Sequence, residues 1–272
     1  MSADRKPGAA STLHRLRRRV NEEIVIMVRI AEKAVLVTGG NRGIGRALVD
    51  EALGRGAKRV YLGTRAPMVH PDKRVTNLIM DVTDTTQIQA ALGEVDSLDV
   101  LINNAGMALY DDLSERSALE RHLTVNLFGT YDVIQAFLPL LTRSRGAIVN
   151  NLSVNALAPL PLIPAYSISK AAAFNLTQSL RVLLAGRGVS VHAVITGPVD
   201  TDMTRGLDIP KAAPESVAKA IFDGVGKGAE DIFPDAMSQA IADNWSRGAA
   251  KTLERMYAAL ETGSARGSAQ AS

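Results

Sequence analysis

The sequence of 272 residues contains no cysteine. Disulfide bridges, a thiolate nucleophile and cysteine-ligated zinc or iron–sulfur centres are therefore excluded. A hydrophobic run that could span a bilayer is also missing, because the longest weakly polar stretch, residues 156–166, is too short and contains Pro159, Pro161 and Pro164. Hydrophobic residues still make up 46% of the chain, which is ordinary for a folded protein with a large core.

The net positive charge of the protein comes from the start of the chain. The net charge is +3, but residues 1–20 carry six basic side chains and one acid, which leaves a net charge of −2 for the rest. A nucleic-acid-binding protein would need clustered Lys and Arg on its folded part. We interpret residues 1–26 as a disordered basic extension, with Met27 as the natural first residue; an Arg-rich targeting peptide is the alternative. We expect a cytoplasmic protein that binds neither nucleic acid nor membrane.

From residue 33 onward, short apolar runs alternate with segments of helix length. Apolar strands are typical of a parallel sheet that is covered on both faces. The alternation predicts an α/β fold, a doubly wound parallel sheet of about seven strands with helices on both faces. We expect a single domain over residues 27–262 and a flexible tail over 263–272. The predicted strands are residues 34–37, 60–62, 77–80, 99–102, 147–150, 189–195 and, more weakly, 231–233.

A glycine-rich loop follows the first predicted strand. Glycine lets the backbone approach a pyrophosphate without a Cβ in the way, and the next helix offers free N–H groups to the phosphates. Its place between a strand and a helix is the context that a dinucleotide-binding loop requires, although its spacing is neither G-x-G-x-x-G nor that of a nucleoside triphosphatase. A tight turn without a ligand is the alternative. The loop residues expected to contact the cofactor are Gly39, Asn41, Arg42, Gly43, Ile44 and Gly45.

Charge near the second predicted strand favours NADP(H) over NAD(H). A carboxylate at the end of that strand would bind a ribose 2′-hydroxyl and repel a 2′-phosphate. The strand is instead followed by Gly63, Thr64 and Arg65, with no acid. Arg42 adds a second guanidinium, and both could bind a 2′-phosphate through charge-assisted hydrogen bonds. The alternative is that either arginine is a solvated surface charge.

Tyr166 and Lys170 stand four residues apart, which puts them on one face of a helix. A nearby ammonium lowers the pKa of a phenol, so the pair can donate a proton to a ketone or accept one from an alcohol. Ser153 follows the fifth predicted strand, at the sheet edge where doubly wound folds bind ligands. Its hydroxyl can hold a carbonyl oxygen as charge develops there. Asn126 is a polar residue in an otherwise apolar helix, and satisfaction within the core is its alternative role.

These motifs together resemble the short-chain dehydrogenase/reductase family. The glycine loop matches T-G-x-x-x-G-x-G, residues 103–106 match N-N-A-G, and Asn126, Ser153, Tyr166 and Lys170 match the family's catalytic set in order and approximate spacing. The resemblance covers residues 33–203 and implies an NADPH-dependent oxidoreductase that interconverts a carbonyl and an alcohol. It also implies that Asn126 organises a water chain to the lysine, and that basic residues at the places of Arg42 and Arg65 mark the NADP-preferring branch.

The resemblance implies further cofactor contacts. Asp81 would accept from the adenine amino group, although Asp81 or Asp84 could instead cap a helix. The remaining contacts are expected from Asn104, Ala105, Gly106, Tyr166, Lys170, Val199 and Thr201. Thr196 stands where the family usually has proline, so we expect a looser loop after the sixth strand. Asp200 or Thr201 in that loop could equally cap a helix.

Apolar residues dominate the two segments expected to border the substrate. Arg205 is the one cation there that could grip an anion, so we expect a small uncharged carbonyl or alcohol as the substrate. Because the family often packs the helices near residues 120–141 and 166–186 across an interface, we expect a homodimer or homotetramer. The four histidines lack ligand spacing, so no metal is assigned. A catalytically weak, NADP(H)-binding regulatory protein is the alternative function. The apolar border residues are Leu157, Leu160, Leu162, Met203 and Leu207.

Overall fold

The computed structural model describes residues 29–268. The predicted basic extension lies outside the described residues, as do residues 269–272. The strands are β1 (Ala34–Thr38), β2 (Arg59–Thr64), β3 (Val75–Ile79), β4 (Val100–Asn103), β5 (Ala147–Asn151), β6 (Ser190–Val194) and β7 (Asp231–Ile232). The α-helices are α1 (Gly43–Gly54), α2 (Thr85–Gly93), α3 (Arg116–Leu123), α4 (Thr130–Ser144), α5 (Pro164–Ala185), α6 (Pro214–Gly226), α7 (Ala236–Arg247) and α8 (Ala249–Ser268).

All seven strands pair in parallel, in the order β3-β2-β1-β4-β5-β6-β7. This confirms the predicted doubly wound sheet. The order reverses between β1 and β4, so the connections that follow these two strands leave toward opposite faces. Such a switch point opens a crevice at the carboxyl ends of the strands, and ligands of open α/β sheets bind there.

The two faces of the sheet are buried by different helices. In β1, Val35 and Val37 pack in one apolar layer that also contains Phe222 of α6. Leu36, between them, points to the other face and packs in a second layer with Phe137 of α4. Successive side chains of a strand alternate between faces, so a strand that is covered on both sides must be apolar throughout. This explains why the strand signal in the sequence is a continuous apolar run.

The helix α5 carries one buried face over its first four turns. Pro164 lies in its first turn, where a missing N–H costs no hydrogen bond. The buried positions recur at a spacing of three and four residues, which is the period of a helix that packs one side against a sheet. They include Tyr166, Ser169, Lys170, Ala173, Phe174 and Thr177.

The segment between α3 and α4 differs from the continuous helix expected near residues 120–141. Residues Thr124–Gly129 form a π-helical segment between the two α-helices. A π-helical turn contains one extra residue and is frequent at functional sites. Asn126, one of the predicted site residues, lies within it and is buried.

The last helix extends beyond the predicted domain end. α8 continues to Ser268, so residues 263–268 are helical, whereas the sequence predicts a flexible tail from residue 263. Ala265 and Arg266 both favour helix, and the preceding turns of α8 supply a nucleus that such residues can extend. Among the described helices, none is both long and apolar enough to cross a membrane.

Candidate active site

A cleft of about 940 Å³ runs along the carboxyl ends of β1 to β6. Its lining comes from the segments that follow these strands and from the first turns of α5. The cleft brings together all predicted site residues except Asn126: Gly39, Asn41, Arg42, Gly43, Ile44, Gly45, Arg65, Asp81, Asn104, Ala105, Gly106, Ser153, Tyr166, Lys170, Val199 and Thr201.

The glycine loop is folded tightly onto itself and onto the segment after β4. Gly39 has a φ of 64°, and a Cβ on it would lie 3.1 Å from the Cα of Ala105. A Cβ on Gly45 would lie 2.1 Å from the carbonyl oxygen of Gly39, which no side chain tolerates. These two positions therefore require glycine, and they leave the loop backbone bare where it borders the cleft.

Asn104 holds the glycine loop to the sheet. Its Nδ2 donates to the carbonyl oxygens of Thr38, at 3.1 Å, and Gly39, at 3.3 Å. The backbone N–H groups of Asn104 and Ala105 both donate to the hydroxyl of Thr38, at 3.0 Å. The end of β4 thus fixes the loop after β1, and the asparagine does so through its side chain as well as its backbone.

Ser153, Tyr166 and Lys170 lie together at the far end of the cleft, and all three are buried. The Nζ of Lys170 donates to the carbonyl oxygen of Asn151 at 2.8 Å. It lies 5.7 Å from the centroid of the Tyr166 ring. The hydroxyl of Ser153 accepts from the backbone N–H of Asn155 at 3.1 Å, which orients it at the end of β5.

Burial dominates the titration of this cluster. It raises the pKa of Tyr166 to about 12, and the hydrogen-bonding hydroxyl of Ser153 offsets only part of that rise. Burial also lowers the pKa of Lys170 to about 8. The prediction that Lys170 lowers the pKa of Tyr166 is therefore wrong for the described residues. The reason is that both groups lose hydration, while the ammonium directs its hydrogen bond to Asn151. At neutral pH the phenol holds its proton, which suits a proton donor.

Asn126 lies behind the cleft wall. Its Oδ1 accepts from the backbone N–H of Met107 and its Nδ2 donates to the carbonyl oxygen of Met107, both at 2.9 Å. Nδ2 also donates to the hydroxyl of Ser169 at 2.9 Å. Asn126 therefore joins the segment after β4 to α5, the helix that carries Tyr166 and Lys170. Gly106 lies between Asn126 and Lys170, since a Cβ on it would be 3.2 Å from Oδ1 and 3.7 Å from Nζ.

Both predicted arginines line the cleft: Arg42 lies where the glycine loop meets the segment after β6, and Arg65 lies at the end of β2. Arg65 is exposed there. Arg42 donates to a carboxylate oxygen of Asp202 at 2.9 Å, and Arg205 pairs with the same carboxylate. Asp81 accepts from the backbone and the hydroxyl of Thr83, at 2.9 and 2.8 Å.

Two helix caps show which of the residues Asp81, Asp84 and Thr201 cap a helix and which line the cleft. Asp84 caps α2 by accepting from the N–H groups of Thr86 and Gln87, whereas Asp81 lies in the cleft. After β6, Thr201 caps the short 3-10 helix Asp202–Thr204 and lines the cleft as well. Capping and a contact with a ligand are therefore compatible for Thr201.

One wall of the cleft was not predicted from the sequence. Residues 107–109 line it directly after the N-N-A-G motif. Of the predicted border residues only Met203 belongs to the lining, whereas Leu157, Leu160, Leu162 and Leu207 lie outside it. The backbone N–H of Leu109 donates to Nε2 of the buried His122 at 3.0 Å. The closeness of residues 107–109 to the motif was the available signal, whereas the contact with His122 depends on tertiary packing.

The sheet order and the cleft at its switch point define a Rossmann-like α/β protein. The sequence profile of the family described as short chain dehydrogenase matches residues 33–211. The chain therefore belongs to the short-chain dehydrogenase family of oxidoreductases.

Individual relatives agree with this assignment. An uncharacterized oxidoreductase of Staphylococcus epidermidis is 32% identical over 215 residues, which cover 72% of this chain and 91% of that protein. The 2-(S)-hydroxypropyl-CoM dehydrogenase 3 of Xanthobacter autotrophicus is 34% identical over 209 residues, covering 71% and 82%. A short chain dehydrogenase from Burkholderia cenocepacia, solved in complex with NADP, matches with a TM-score of 0.76 and 35% identity over 80% of this chain and 95% of that one.

Proposed function

We propose that this protein is an NADP(H)-dependent oxidoreductase that interconverts a small uncharged carbonyl compound and its alcohol. The observation that carries the proposal is the continuity of the cleft. The buried cluster of Ser153, Tyr166 and Lys170 lies at β5 and α5, Arg65 lies at β2, and the glycine loop with Arg42 follows β1, which stands between these strands in the sheet. A dinucleotide is long enough to contact both ends, and a substrate oxygen beside Tyr166 would then face its reactive ring.

The residues around the cleft fit such a cofactor. The bare backbone at Gly39 and Gly45 and the N-terminus of α1 suit a pyrophosphate. Arg65 and Arg42 suit a 2′-phosphate, and Asp81 suits an amino group. The expected contacts from Asn104, Ala105, Gly106, Val199 and Thr201 belong to the same proposal. When bound, the nicotinamide cofactor supplies or accepts a hydride.

Three residues of the protein hold the proton that the reaction needs and stabilise charge on the substrate oxygen. Tyr166 holds a proton on its phenol oxygen at neutral pH, because burial raises its pKa to about 12. The hydroxyl of Ser153 steadies an oxygen that gains charge. Lys170, with a pKa lowered to about 8, keeps a positive charge near that oxygen at neutral pH. The low exposure of all three excludes water and strengthens these polar interactions.

An apolar, uncharged substrate is favoured by the wall beside this cluster. Met107, Leu109 and Met203 border the cleft. Arg205, the cation that could have gripped an anionic substrate, is paired with Asp202. We therefore favour a ketone or aldehyde without phosphate or carboxylate groups.

The decisive experiment is Tyr166→Phe, measured by NADPH oxidation over a panel of aliphatic, aromatic, steroid and quinone carbonyls. We expect turnover to fall by a factor on the order of 10²–10⁴, the range for loss of a general acid, while NADPH still binds. The control is Tyr257→Phe, which changes an exposed tyrosine of α8 and should leave turnover unchanged. Near-normal turnover of Tyr166→Phe would refute the proposal, and tight NADPH binding by a wild type without turnover would favour the regulatory alternative.

Cofactor preference is tested separately with Arg65→Leu. Charge-assisted hydrogen bonds contribute about 1.5–3 kcal/mol, so NADPH binding should weaken by roughly 10- to 100-fold. Binding of NADH, which lacks the 2′-phosphate, should change little. Equal loss for both cofactors would contradict a phosphate contact at Arg65.

We also propose a homodimer or homotetramer. Exposed apolar side chains on α4 and α5 support it, together with Phe128 of the π-helical segment: Phe128, Tyr131, Ile168 and Leu183. Light scattering during size-exclusion chromatography measures the mass directly, and a monomer at micromolar concentration would overturn this proposal.

A further inference from the structure

A chain of side-chain hydrogen bonds crosses the carboxyl edge of the sheet beneath the cleft. Asn151, the last residue of β5, is its centre. The Oδ1 of Asn151 accepts from the hydroxyl of Thr196 at 2.7 Å, and its Nδ2 donates to Oδ1 of Asn104 at 2.9 Å. Asn104 continues the chain to the carbonyl oxygens of Thr38 and Gly39. The glycine loop after β1 is thereby linked to the segment after β6.

The direction of every hydrogen bond in this series is determined by the carbonyl oxygens at one end, since the hydroxyl of Thr196 at the other end can donate or accept. The carbonyl oxygens of Thr38 and Gly39 only accept, so Asn104 must present Nδ2 to them and Oδ1 to Asn151. Asn151 must then present Nδ2 to Asn104 and Oδ1 to Thr196. Thr196 is buried, so an unmatched hydroxyl or amide here would lose hydration without a replacement partner. Neither the Asn104 amide nor the Asn151 amide can therefore be flipped without leaving a buried polar group unpaired.

The segment after β6 is held at two consecutive residues. Thr196 is bound to Asn151, and the N–H of Gly197 donates to the buried carboxylate of Asp235 at 2.7 Å. Proline at the position of Thr196 would restrict φ through its ring, whereas threonine has no such restriction and supplies a hydroxyl. The looser loop predicted from the missing proline is therefore not found, because a hydrogen bond anchors the residue instead.

We propose that Asn151 and Thr196 are positioning residues that hold residues 196–201 at a fixed distance from the glycine loop and so shape the nicotinamide end of the cofactor site. This inference rests on the proposed function. Val199 and Thr201, which line the cleft, stand three and five residues after Thr196. The carbonyl oxygen of Asn151 also accepts a hydrogen bond from Lys170. The series of hydrogen bonds therefore reaches the cluster of Ser153, Tyr166 and Lys170. Arg65 makes no hydrogen bond to these residues within the part of the protein that the structure describes, whereas Arg42 pairs with Asp202, directly after the held segment.

The test compares two ligands that share the adenosine end. NADPH contains the nicotinamide ring, and adenosine 2′,5′-bisphosphate lacks it. Thr196→Val releases residues 196–201 from Asn151, and if restoring their position on binding costs about 1–1.5 kcal/mol, NADPH binding should weaken roughly tenfold. Binding of adenosine 2′,5′-bisphosphate should change by less than about twofold, because charge pairing at Arg65, which makes no bond to residues 196–201, dominates it. Calorimetry measures both dissociation constants.

Two further variants separate positioning from general damage. Thr196→Ser keeps the hydroxyl and should restore NADPH binding to within about twofold of wild type, since the bond to Asn151 can form again. Asn151→Leu combined with Thr196→Val should weaken NADPH binding no more than the worse single variant does, because both break the same bond. If Asn151→Leu does not fold, Thr196→Val and Thr196→Ser alone decide the matter.

Different results would contradict the positioning role of Thr196 and the proposed NADP(H)-dependent function. Unchanged NADPH binding in Thr196→Val overturns the positioning role, and so does equal weakening for the two ligands. A Thr196→Ser variant as weak as Thr196→Val overturns it as well. A wild-type protein that binds adenosine 2′,5′-bisphosphate and NADPH equally well overturns the nicotinamide site itself, and failure to bind either ligand refutes the proposed function with it.

Discussion

The imidazole of His122 faces the phenol ring of Tyr166 edge-on, with the ring centroids 6.4 Å apart and the planes at 71°. Its Nδ1 lies 2.7 Å from the carbonyl oxygen of Ala118, and its Nε2 accepts from the N–H of Leu109 at 3.0 Å. Because that backbone N–H can only donate, His122 is the neutral Nδ1–H tautomer. One buried side chain of α3 therefore joins the substrate wall to the ring of the proposed proton donor.

His122→Leu is expected to disturb the cleft wall at Leu109 more than the cluster of Ser153, Tyr166 and Lys170. The substitution fills a similar volume but leaves the N–H of Leu109 without its acceptor, so the free energy of unfolding should fall by about 1–3 kcal/mol. The KM for the carbonyl substrate should rise while kcat changes less, because the wall moves and Tyr166 stays in α5. Urea unfolding and steady-state kinetics measure the two effects. A loss confined to kcat, at unchanged KM, would contradict this role.

Lys170 gives the stability a pH dependence of defined sign. Its pKa is lowered to about 8 in the folded protein from a value of 10.5 in the unfolded chain. Between these values the unfolded chain binds more protons, so the free energy of unfolding rises with pH and is lost again as the pH falls toward 8. The expected gain from this group between about pH 7 and pH 9.5 is roughly 2 kcal/mol.

The variant Lys170→Met isolates this contribution. Its unfolding free energy should vary less with pH over the same range, and the difference between variant and wild type is the quantity to compare. Tyr166, whose pKa is raised to about 12, titrates above this range and does not interfere. Parallel pH profiles for the two proteins would show that Lys170 is not desolvated.

Two glycines at opposite ends of α1 make a matched pair. A Cβ on Gly45 would lie 2.1 Å from the carbonyl oxygen of Gly39, whereas nothing lies within 4 Å of a Cβ on Gly54. Gly45→Ala should therefore displace the glycine loop, destabilise the protein by about 1–3 kcal/mol as overpacking does, and weaken NADPH binding. Gly54→Ala should stabilise it by about 0.5–1 kcal/mol. Thermal unfolding with and without NADPH checks both, and a harmless Gly45→Ala would contradict the tight loop.

The sequence predicts the sheet and the cleft well because both follow from local pattern. Apolar runs identify strands that are covered on both faces, and the carboxyl ends of parallel strands meet at one edge. Glycines and polar residues at those ends, such as Gly39 and Ser153, therefore had to meet there. The residues of the glycine loop and of α5 were found without any tertiary information.

Interactions between distant segments could not be predicted in the same way. The bond between Asn151 and Thr196 joins residues 45 positions apart, and neither residue belongs to a motif. The pKa of Tyr166 was predicted with the wrong sign because the spacing to Lys170 is local, whereas the burial that dominates comes from the whole fold. The π-helical segment around Asn126 likewise has no signature in the apolar pattern.

Lys251 of α8 provides a test of how the last helix is attached. Its side chain is 4% exposed, and its ammonium pairs with Glu230 at 2.6 Å and with Asp231 and Glu254 at 2.9 Å. Burial disfavours the charge of Asp231, but Arg181 and Lys251 together hold the pKa of that carboxyl below its ordinary value. Removing one cation leaves buried carboxylates undercompensated, so Lys251→Met should lower the free energy of unfolding by about 3 kcal/mol at neutral pH.

The matched control is Lys219→Met on α6. Lys219 pairs with Asp223 at 3.2 Å on the surface, and an exposed pair contributes less than about 1 kcal/mol. The deficit of Lys251→Met should shrink as the pH falls, because the carboxylates that lost their partner then take up protons. The deficit of Lys219→Met should stay small throughout. Urea unfolding of the three proteins from neutral to mildly acidic pH makes the comparison. Equal effects of the two substitutions would mean that the α8 contacts carry no more energy than a solvated ion pair.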